Sequence, residues 1–199
     1  MTRNRFTLVL LAVALSLGVA TSSVADPTRM RIDRNHSTVG FRVPILAGMS
    51  TVTGKFTDFE IELKYDADDL NRSSVSVTIQ VASVDTGIDG RDNHLRSADF
   101  FDVDNHPTMT FVSDRIEING DHREAHGTLT LRGTSREVSL DLQLMPMGEG
   151  GVGIKATATV DRTDFGVSFQ RGDNPLFIGN DVTIELFILA SMPREEERS

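Results

Sequence analysis

Strict alternation of apolar and polar residues is the feature that most constrains the fold of this chain. Apolar side chains recur at every second position, which is the period of a β-strand with one buried face. The longest alternating runs are residues 59–65, 75–81, 138–144, 152–160 and 182–188. Turn residues separate these runs, and helical periodicity is almost absent. The pattern therefore predicts an all-β protein of seven or eight antiparallel strands.

The N-terminus has the composition of a secretory signal peptide. Arg3 and Arg5 form a positive n-region, residues 8–19 are apolar, and Ser23-Val24-Ala25 is a small-x-small cleavage site. The apolar run is shorter than the roughly 20 residues that a membrane-spanning helix needs, so no integral membrane span is predicted. The predicted segments are a signal peptide at 1–25, one folded domain at 26–193 and a polar tail at 194–199.

Composition excludes several classes of function. The chain has no cysteine, so an exported protein with this sequence folds without disulfides and has neither zinc thiolate sites nor a cysteine nucleophile. The net charge of −9 disfavours nucleic acid and anionic membrane surfaces as partners. The length suits one domain with a full hydrophobic core.

Histidine and arginine positions do not predict a metal site or a phosphate site. His122 and His126 would share one face of a strand, but at about 13 Å apart they are too distant to bind one ion. The sequence has no glycine-rich phosphate-binding motif. The arginines at positions 132, 136, 162 and 171 stand singly among acidic residues, and we interpret them as surface cations, either solvated or in local ion pairs.

Residues 91–111 interrupt the alternation with a short helical segment. Asp89 is predicted to cap this helix, and Leu95 lies on its apolar face. Phe100 and Phe101 follow where the helix should end, after which the alternation of a strand resumes. A short apolar lid over a β-sheet is the structure that this pattern indicates.

The same segment, RDNHLRSADFFDVDNHPTMTF, closely resembles the signature of the YceI-like family of bacterial periplasmic proteins. Other blocks resemble, in the family order, its first hairpin strand, its G-x-F turn and its later strands: 33–43, 54–56, 127–140 and 161–167. Alternation alone leaves open a sandwich or a closed barrel. The resemblance implies an extended antiparallel, lipocalin-like β-barrel of about eight strands, with the helical segment near its mouth, located in the periplasm.

The resemblance also implies a function without covalent chemistry. Members of the family are understood to bind long isoprenoid or other amphiphilic lipids, such as polyprenyl quinones, for carriage or storage. No covalent cofactor is expected, and a homodimer is a further expectation. The candidate lipid-binding residues are Phe41, Met49, Phe56, Leu95, Phe100, Phe101, Phe111, Phe169 and Phe177. The candidate head-group contacts are Arg91, Asn93 and His94.

Two alternatives come from other classes of function. One is an enzyme or redox accessory that acts on the head group of the bound lipid through His94 and Asp92. The other is a stress-response interaction module whose barrel is solidly packed. The sequence has no G-x-S-x-G elbow and no recognisable order of triad residues. We therefore predict that the protein is not an enzyme.

Overall fold

The computed structural model describes residues 26–172 and 177–194. The predicted signal peptide and residues 195–199 of the predicted tail lie outside these ranges. The strands are β1 (Thr28–Arg29), β2 (Arg31–Ile32), β3 (Thr38–Ile45), β4 (Ser50–Phe56), β5 (Phe59–Tyr65), β6 (Ser74–Gln80), β7 (Val84–Asp85), β8 (Thr108–Asn119), β9 (His122–Leu131), β10 (Thr134–Met147), β11 (Gly151–Asp161) and β12 (Asp181–Ser191). The α-helix is α1 (Asp89–Arg96), and 3-10 turns occur at Arg34–His36, Leu70–Arg72, Val81–Ser83, Gly148–Gly150 and Arg162–Phe165.

The strands form one antiparallel sheet in the order β1-β5-β6-β8-β9-β10-β11-β12-β3-β4-β7. The sheet curls into a barrel, and the N-terminal segment joins two distant parts of it. In that segment β1 pairs with β5, while β2 pairs with β12. The prediction of an all-β, antiparallel, lipocalin-like barrel is confirmed.

The seven-residue strand β4 was not revealed by the alternation. The residues of β4 that face inward are Val52, Gly54 and Phe56, and the glycine interrupts the apolar pattern. The interpretation of residues 54–56 as a G-x-F turn is therefore wrong. Gly54 lies within the strand because the Phe41 ring of β3 rests on it: a Cβ atom at position 54 would lie 2.6 Å from Phe41 Cε1.

The interior of the barrel divides into two regions along β12. Val182, Ile184 and Leu186 face the first region, and Ile188 and Ala190 face the second. We call the first region the lid end, because residues 89–103, which we call the lid, cover it. We call the second region the closed end, because β1 pairs with β5 there and β2 pairs with β12.

No helix within the described ranges is long and apolar enough to cross a membrane; α1 has eight residues.

Candidate functional site

The lid end encloses an apolar cavity of about 670 Å³. Protein pockets that bury most of a small ligand measure about 300–1,000 Å³. Every second residue of a strand points into the barrel, so eight strands, β3, β4, β6 and β8–β12, contribute aliphatic and aromatic side chains to the wall. Protein interiors usually contain few voids larger than one water molecule. The barrel is therefore not solidly packed at this end, contrary to the interaction-module alternative.

Eight of the nine predicted lipid-binding residues line this cavity. They are Phe41, Phe56, Leu95, Phe100, Phe101, Phe111, Phe169 and Phe177. The structure contradicts the placement of Met49, whose side chain is 87% exposed in the turn between β3 and β4. Leu46, Ala47 and Gly48 in that turn all have positive φ angles, and this reversal carries Met49 out to solvent. Lipid binding by the other eight stays a prediction.

Two groups of aromatic rings in contact with one another hold the lid against the barrel. The Phe101 ring of the lid lies 6.5 Å from the Phe41 ring and 5.9 Å from the Phe56 ring. In the second group, the His94 ring lies 4.9 Å from Phe100 and 4.8 Å from Phe169 in edge-to-face geometry. Aromatic pairs at these centroid distances attract each other beyond simple burial. The predicted apolar lid is thus an integral part of the cavity wall.

The start of α1 depends on Asp92 rather than on Asp89. The residue that precedes the helix is Ile88, which offers no side-chain cap, so the predicted cap by Asp89 is wrong. The buried carboxylate of Asp92 instead accepts hydrogen bonds from the backbone N–H and the hydroxyl of Thr86, at 2.9 and 2.5 Å. Arg91 donates to the same threonine, from Nε to Oγ1 at 2.7 Å and from Nη2 to its carbonyl at 2.9 Å.

Two of the three predicted head-group residues lie at the mouth of the cavity. Arg91 and His94 line it together with Leu95, because residues three and four positions apart share one face of a helix. Asn93 projects from another face, is exposed and accepts a hydrogen bond from Arg96 at 3.2 Å. The placement of Asn93 at the mouth is therefore wrong.

His94 and Asp92 do not form a catalytic pair. His94 Nε2 lies 2.8 Å from Asp99 Oδ2, and its ring packs between Phe100 and Phe169. The Asp92 carboxylate is directed to Thr86, on the other side of the helix start. An acid–base mechanism on a lipid head group would need the two side chains together, so the geometry does not favour the enzyme alternative.

Arg162 is a cavity residue that the sequence analysis interpreted as a surface cation, and that interpretation is wrong. Its side chain is only 5% exposed, and burial lowers its pKa below the ordinary value. The guanidinium donates to the carbonyls of Val167 at 2.6 Å, Gly179 at 3.0 Å and Ile178 at 3.3 Å, and to Asn180 Oδ1 at 3.3 Å. One cation thus joins the segment after β11 to the segment before β12.

A signal for the burial of Arg162 was present in the sequence. The inward residues of β11 occupy even positions, among them Ala156, Ala158 and Val160. Position 162 continues this series, so an inward side chain could have been expected there. Local sequence does not show which backbone carbonyls satisfy it, because they belong to residues up to 17 positions away.

Two other arginines fix the lid by bonds to backbone carbonyls. Arg96 donates from Nε to Ala82 and from Nη2 to Val84, both at 2.7 Å. Arg132, half-buried in the turn between β9 and β10, donates from Nη1 to the carbonyl of Phe100 at 2.6 Å. Arg132 was also interpreted as a surface cation, and its contact with the lid corrects that interpretation.

The charged groups of the cavity wall are all cationic. They are Arg91, Arg162 and Arg171, and among the described residues no carboxylate lines the cavity. Arg171 is exposed, and its guanidinium carbon lies 5.4 Å from the centre of the Phe177 ring. In a chain with a net charge of −9, the mouth is thus a local concentration of hydrogen-bond donors.

The remaining titratable cluster lies on the outer face of the barrel. His122 Nε2 lies 3.0 Å from Glu124 Oε1 and 3.4 Å from Asp141 Oδ1. The hydrogen bond to Glu124 raises the pKa of His122. His126 lies four positions after His122 on β9 and pairs with Glu117 at 3.1 Å. The ligand atoms of His122, Glu124 and Asp141 lie within 4.8 Å of one another, but ion pairing already accounts for these contacts, and the absence of a metal stays a prediction.

Comparison with known proteins identifies the relatives of this chain. A family model described as the YceI-like domain matches residues 30–190. A UPF0312 protein of Pseudomonas aeruginosa is 35% identical over 171 residues, which cover 83% of this chain and 89% of that protein.

Solved structures support the same fold. The structure of Burkholderia cenocepacia BcnA matches with a TM-score of 0.75 and 23% identity, over 81% of this chain and all of that one. A polyisoprenoid binding domain from Saccharophagus degradans matches with a TM-score of 0.64 and 14% identity, over 84% of this chain and 99% of that one. At these identities the likeness concerns the fold alone.

Proposed function

The chain belongs to the YceI-like domain family, and from this premise we propose that it binds a long-chain isoprenoid or other amphiphilic lipid, of the polyprenyl quinone kind, inside its barrel. The observation that carries the proposal is the apolar cavity of about 670 Å³ at the lid end. The proposed role is carriage or storage of this lipid in the periplasm, without covalent chemistry.

The chemistry of the wall suits a hydrocarbon chain. Removing apolar surface from water contributes about 25 cal/mol per Å², and a cavity lined by aliphatic and aromatic side chains provides this without specific polar contacts. The domain from Saccharophagus degradans is described as polyisoprenoid binding, which supports the same class of ligand for this chain.

The position of the donors supports one orientation of the lipid. Its tail would lie in the barrel, and its head group would lie at the mouth beside Arg91, His94 and Arg171. These side chains carry N–H donors, which suit a head group with acceptor oxygens, such as the carbonyls of a quinone. Polar groups of this kind orient a ligand whose affinity comes from its apolar part.

Native mass spectrometry of protein purified from a bacterial periplasm tests the proposal. We expect one lipid per chain, identified after denaturation as an isoprenoid or similar amphiphile. A fluorescence titration with a polyprenyl quinone provides the complementary measurement on lipid-free protein. Protein that is repeatedly free of lipid and also fails to shield the added quinone would contradict the proposal.

A matched pair of lid variants tests the orientation. His94→Ala removes a side chain at the mouth, and we expect about a tenfold loss of affinity for the quinone, as for the loss of one hydrogen bond. Asn93→Ala alters the neighbouring residue outside the cavity and should leave the affinity unchanged. Equal effects of the two substitutions would show that the head group does not lie beside His94.

A further inference from the structure

A layer of four side chains ends the cavity inside the barrel. Val77, Phe111, Leu140 and Leu186 each border both the large cavity and a second void of about 50 Å³ at the closed end. They come from β6, β8, β10 and β12, so they converge from around the circumference of the barrel. All four are buried, with exposed fractions between 2% and 7%. We call this layer the floor.

Phe111 is the largest member of the floor, and a glycine fixes its position. Its neighbours across the sheet are Val77 on β6 and Leu129 on β9. A Cβ atom at Gly127 of β9 would lie 2.8 Å from Phe111 Cζ, so the ring rests on the bare backbone of that glycine. An aromatic ring seated on a glycine of the neighbouring strand is a recognised way to fix strand register.

We propose that the floor sets the length of apolar chain that the protein encloses, and that Phe111 is the residue that determines this length. The inference rests on the proposed function and specifies its ligand. A cavity of about 150 Å³ accommodates benzene, with its six carbon atoms. On that scale the cavity of about 670 Å³ encloses on the order of 25 carbon atoms, or about five isoprene units.

The space beyond the floor cannot accept a further unit. The void there measures about 50 Å³, which is a third of the volume of a cavity known to accommodate benzene, about 150 Å³. Leu63, Ile154 and Ile188 surround it, with exposed fractions of 3% to 7%. A chain of more than about five units therefore leaves its excess length in water at the mouth.

Removal of the Phe111 ring would join the two spaces. The combined gain, one six-carbon ring and the adjoining void, corresponds to roughly one or two isoprene units. In the native protein the affinity should rise with chain length by about tenfold or more for each enclosed unit, and should then reach a plateau at about five units. In Phe111→Ala the plateau should move to about six or seven units.

The test measures the affinity for polyprenyl alcohols of three to eight isoprene units. The alcohols are delivered from cyclodextrin, and their binding is followed by the displacement of a fluorescent fatty probe. Phe41→Ala is the matched control: Phe41 is also a buried ring seated on a strand glycine, and it lines the cavity without touching the distal void. On the same volume scale the control gains one ring but not the distal void, so its plateau should move by no more than about one unit, and its xenon density should stay confined to the lid end. Leu140→Ala opens the floor from β10 and replaces Phe111→Ala if that variant does not fold.

The outcomes distinguish the floor from the proposed function. Native protein that binds no alcohol of any length contradicts the proposed function and the length limit together. Native protein and floor variants that bind with the same dependence on length contradict the floor alone. Xenon-pressurised crystals of Phe111→Ala give a readout without lipid: xenon density continuous into the closed end is expected, and density confined to the lid end would overturn the assignment to Phe111.

Discussion

The lid end and the closed end of this barrel are stabilised by different interactions. At the closed end, apolar side chains fill the barrel and leave a void of about 50 Å³. The buried members of that cluster are Met30, Leu63, Val152, Ile154, Ile188 and Ala190. At the lid end the cavity of about 670 Å³ deprives the wall side chains of partners on one side, and dispersion contacts are lost there.

The lid end compensates with bonds from arginine to backbone carbonyls. Arg96, Arg132 and Arg162 each donate to backbone carbonyls around the cavity, at 2.6 to 3.3 Å. A guanidinium has five donors in a rigid fork, so one side chain can hold several backbone segments. A barrel can thus keep an apolar cavity open where arginine side chains fix the segments that cover it.

Arg162→Met should have the largest effect on the stability of the lid end. It leaves the buried carbonyl of Val167 and the partly buried carbonyls of Gly179 and Ile178 without their donor, and each such group costs about 1–3 kcal/mol. We expect a loss of about 4 kcal/mol in the free energy of unfolding, measured by urea denaturation. Arg136→Met at an exposed site should change it by less than about 0.5 kcal/mol. Similar values for the two variants would refute the stabilising role of Arg162.

Two isoleucines of β12 allow the stability of the two ends to be compared within one strand. Ile188 is 3% exposed in the packed closed end, whereas Ile184 is half-buried and borders the cavity. Ile188→Ala should lower the free energy of unfolding by about 3 kcal/mol, because it creates a void among close-packed neighbours. Ile184→Ala should cost about 1 kcal/mol, since its side chain already has fewer partners. Equal losses in urea denaturation would remove the distinction between the ends.

Asp92→Asn tests whether polar contacts hold the lid in place. The substitution removes the charge that accepts two hydrogen bonds from Thr86, at an expected cost of about 1.5 kcal/mol in local stability. Hydrogen exchange should become faster in α1 and unchanged in β11. Asp89→Asn removes an exposed charge from the same first turn, and it serves as the control. Equal acceleration by both variants would assign the effect to helix electrostatics.

The smallest expected effect concerns His122 on the outer surface. The hydrogen bond to Glu124 and the charge of Asp141 raise its pKa above 6.5. A raised pKa means that protonated His122 stabilises the fold below pH 6.5, and that this contribution is lost as the pH rises through the higher folded value. His122→Gln should therefore be slightly destabilising at pH 6 and neutral at pH 9 in urea denaturation. An identical effect at both pH values would contradict this.

The sequence predicts the barrel well because its strands repeat one simple pattern. Within residues 182–188 every inward position, 182, 184, 186 and 188, is apolar, and all of these residues belong to β12. Gly54 breaks the pattern of β4, and it does so because a ring from a different strand rests on it. A glycine that serves a cross-strand contact cannot be distinguished from a turn glycine by local sequence.

The candidate site could be predicted from the sequence only where the periodicity of a helix or strand determines which face a residue occupies. Arg91, His94 and Leu95 share a helical face that excludes Asn93, and Arg162 continues the inward parity of β11. The position of Met49 depends on positive φ angles at residues without glycine's freedom, such as Leu46. The depth of the cavity depends on four floor residues that are distant in sequence, so no local pattern specifies it.

Because the floor closes the far end of the cavity, a ligand can enter and leave only at the mouth. In a blind pocket, filling and emptying use the same passage, so they exclude each other in time. A carrier with this architecture cannot pass a molecule from one side to the other; it must present one mouth to the donor and then to the acceptor. A lipid of the proposed kind that enters tail first would leave head first, past Arg91 and His94 of the lid in both steps.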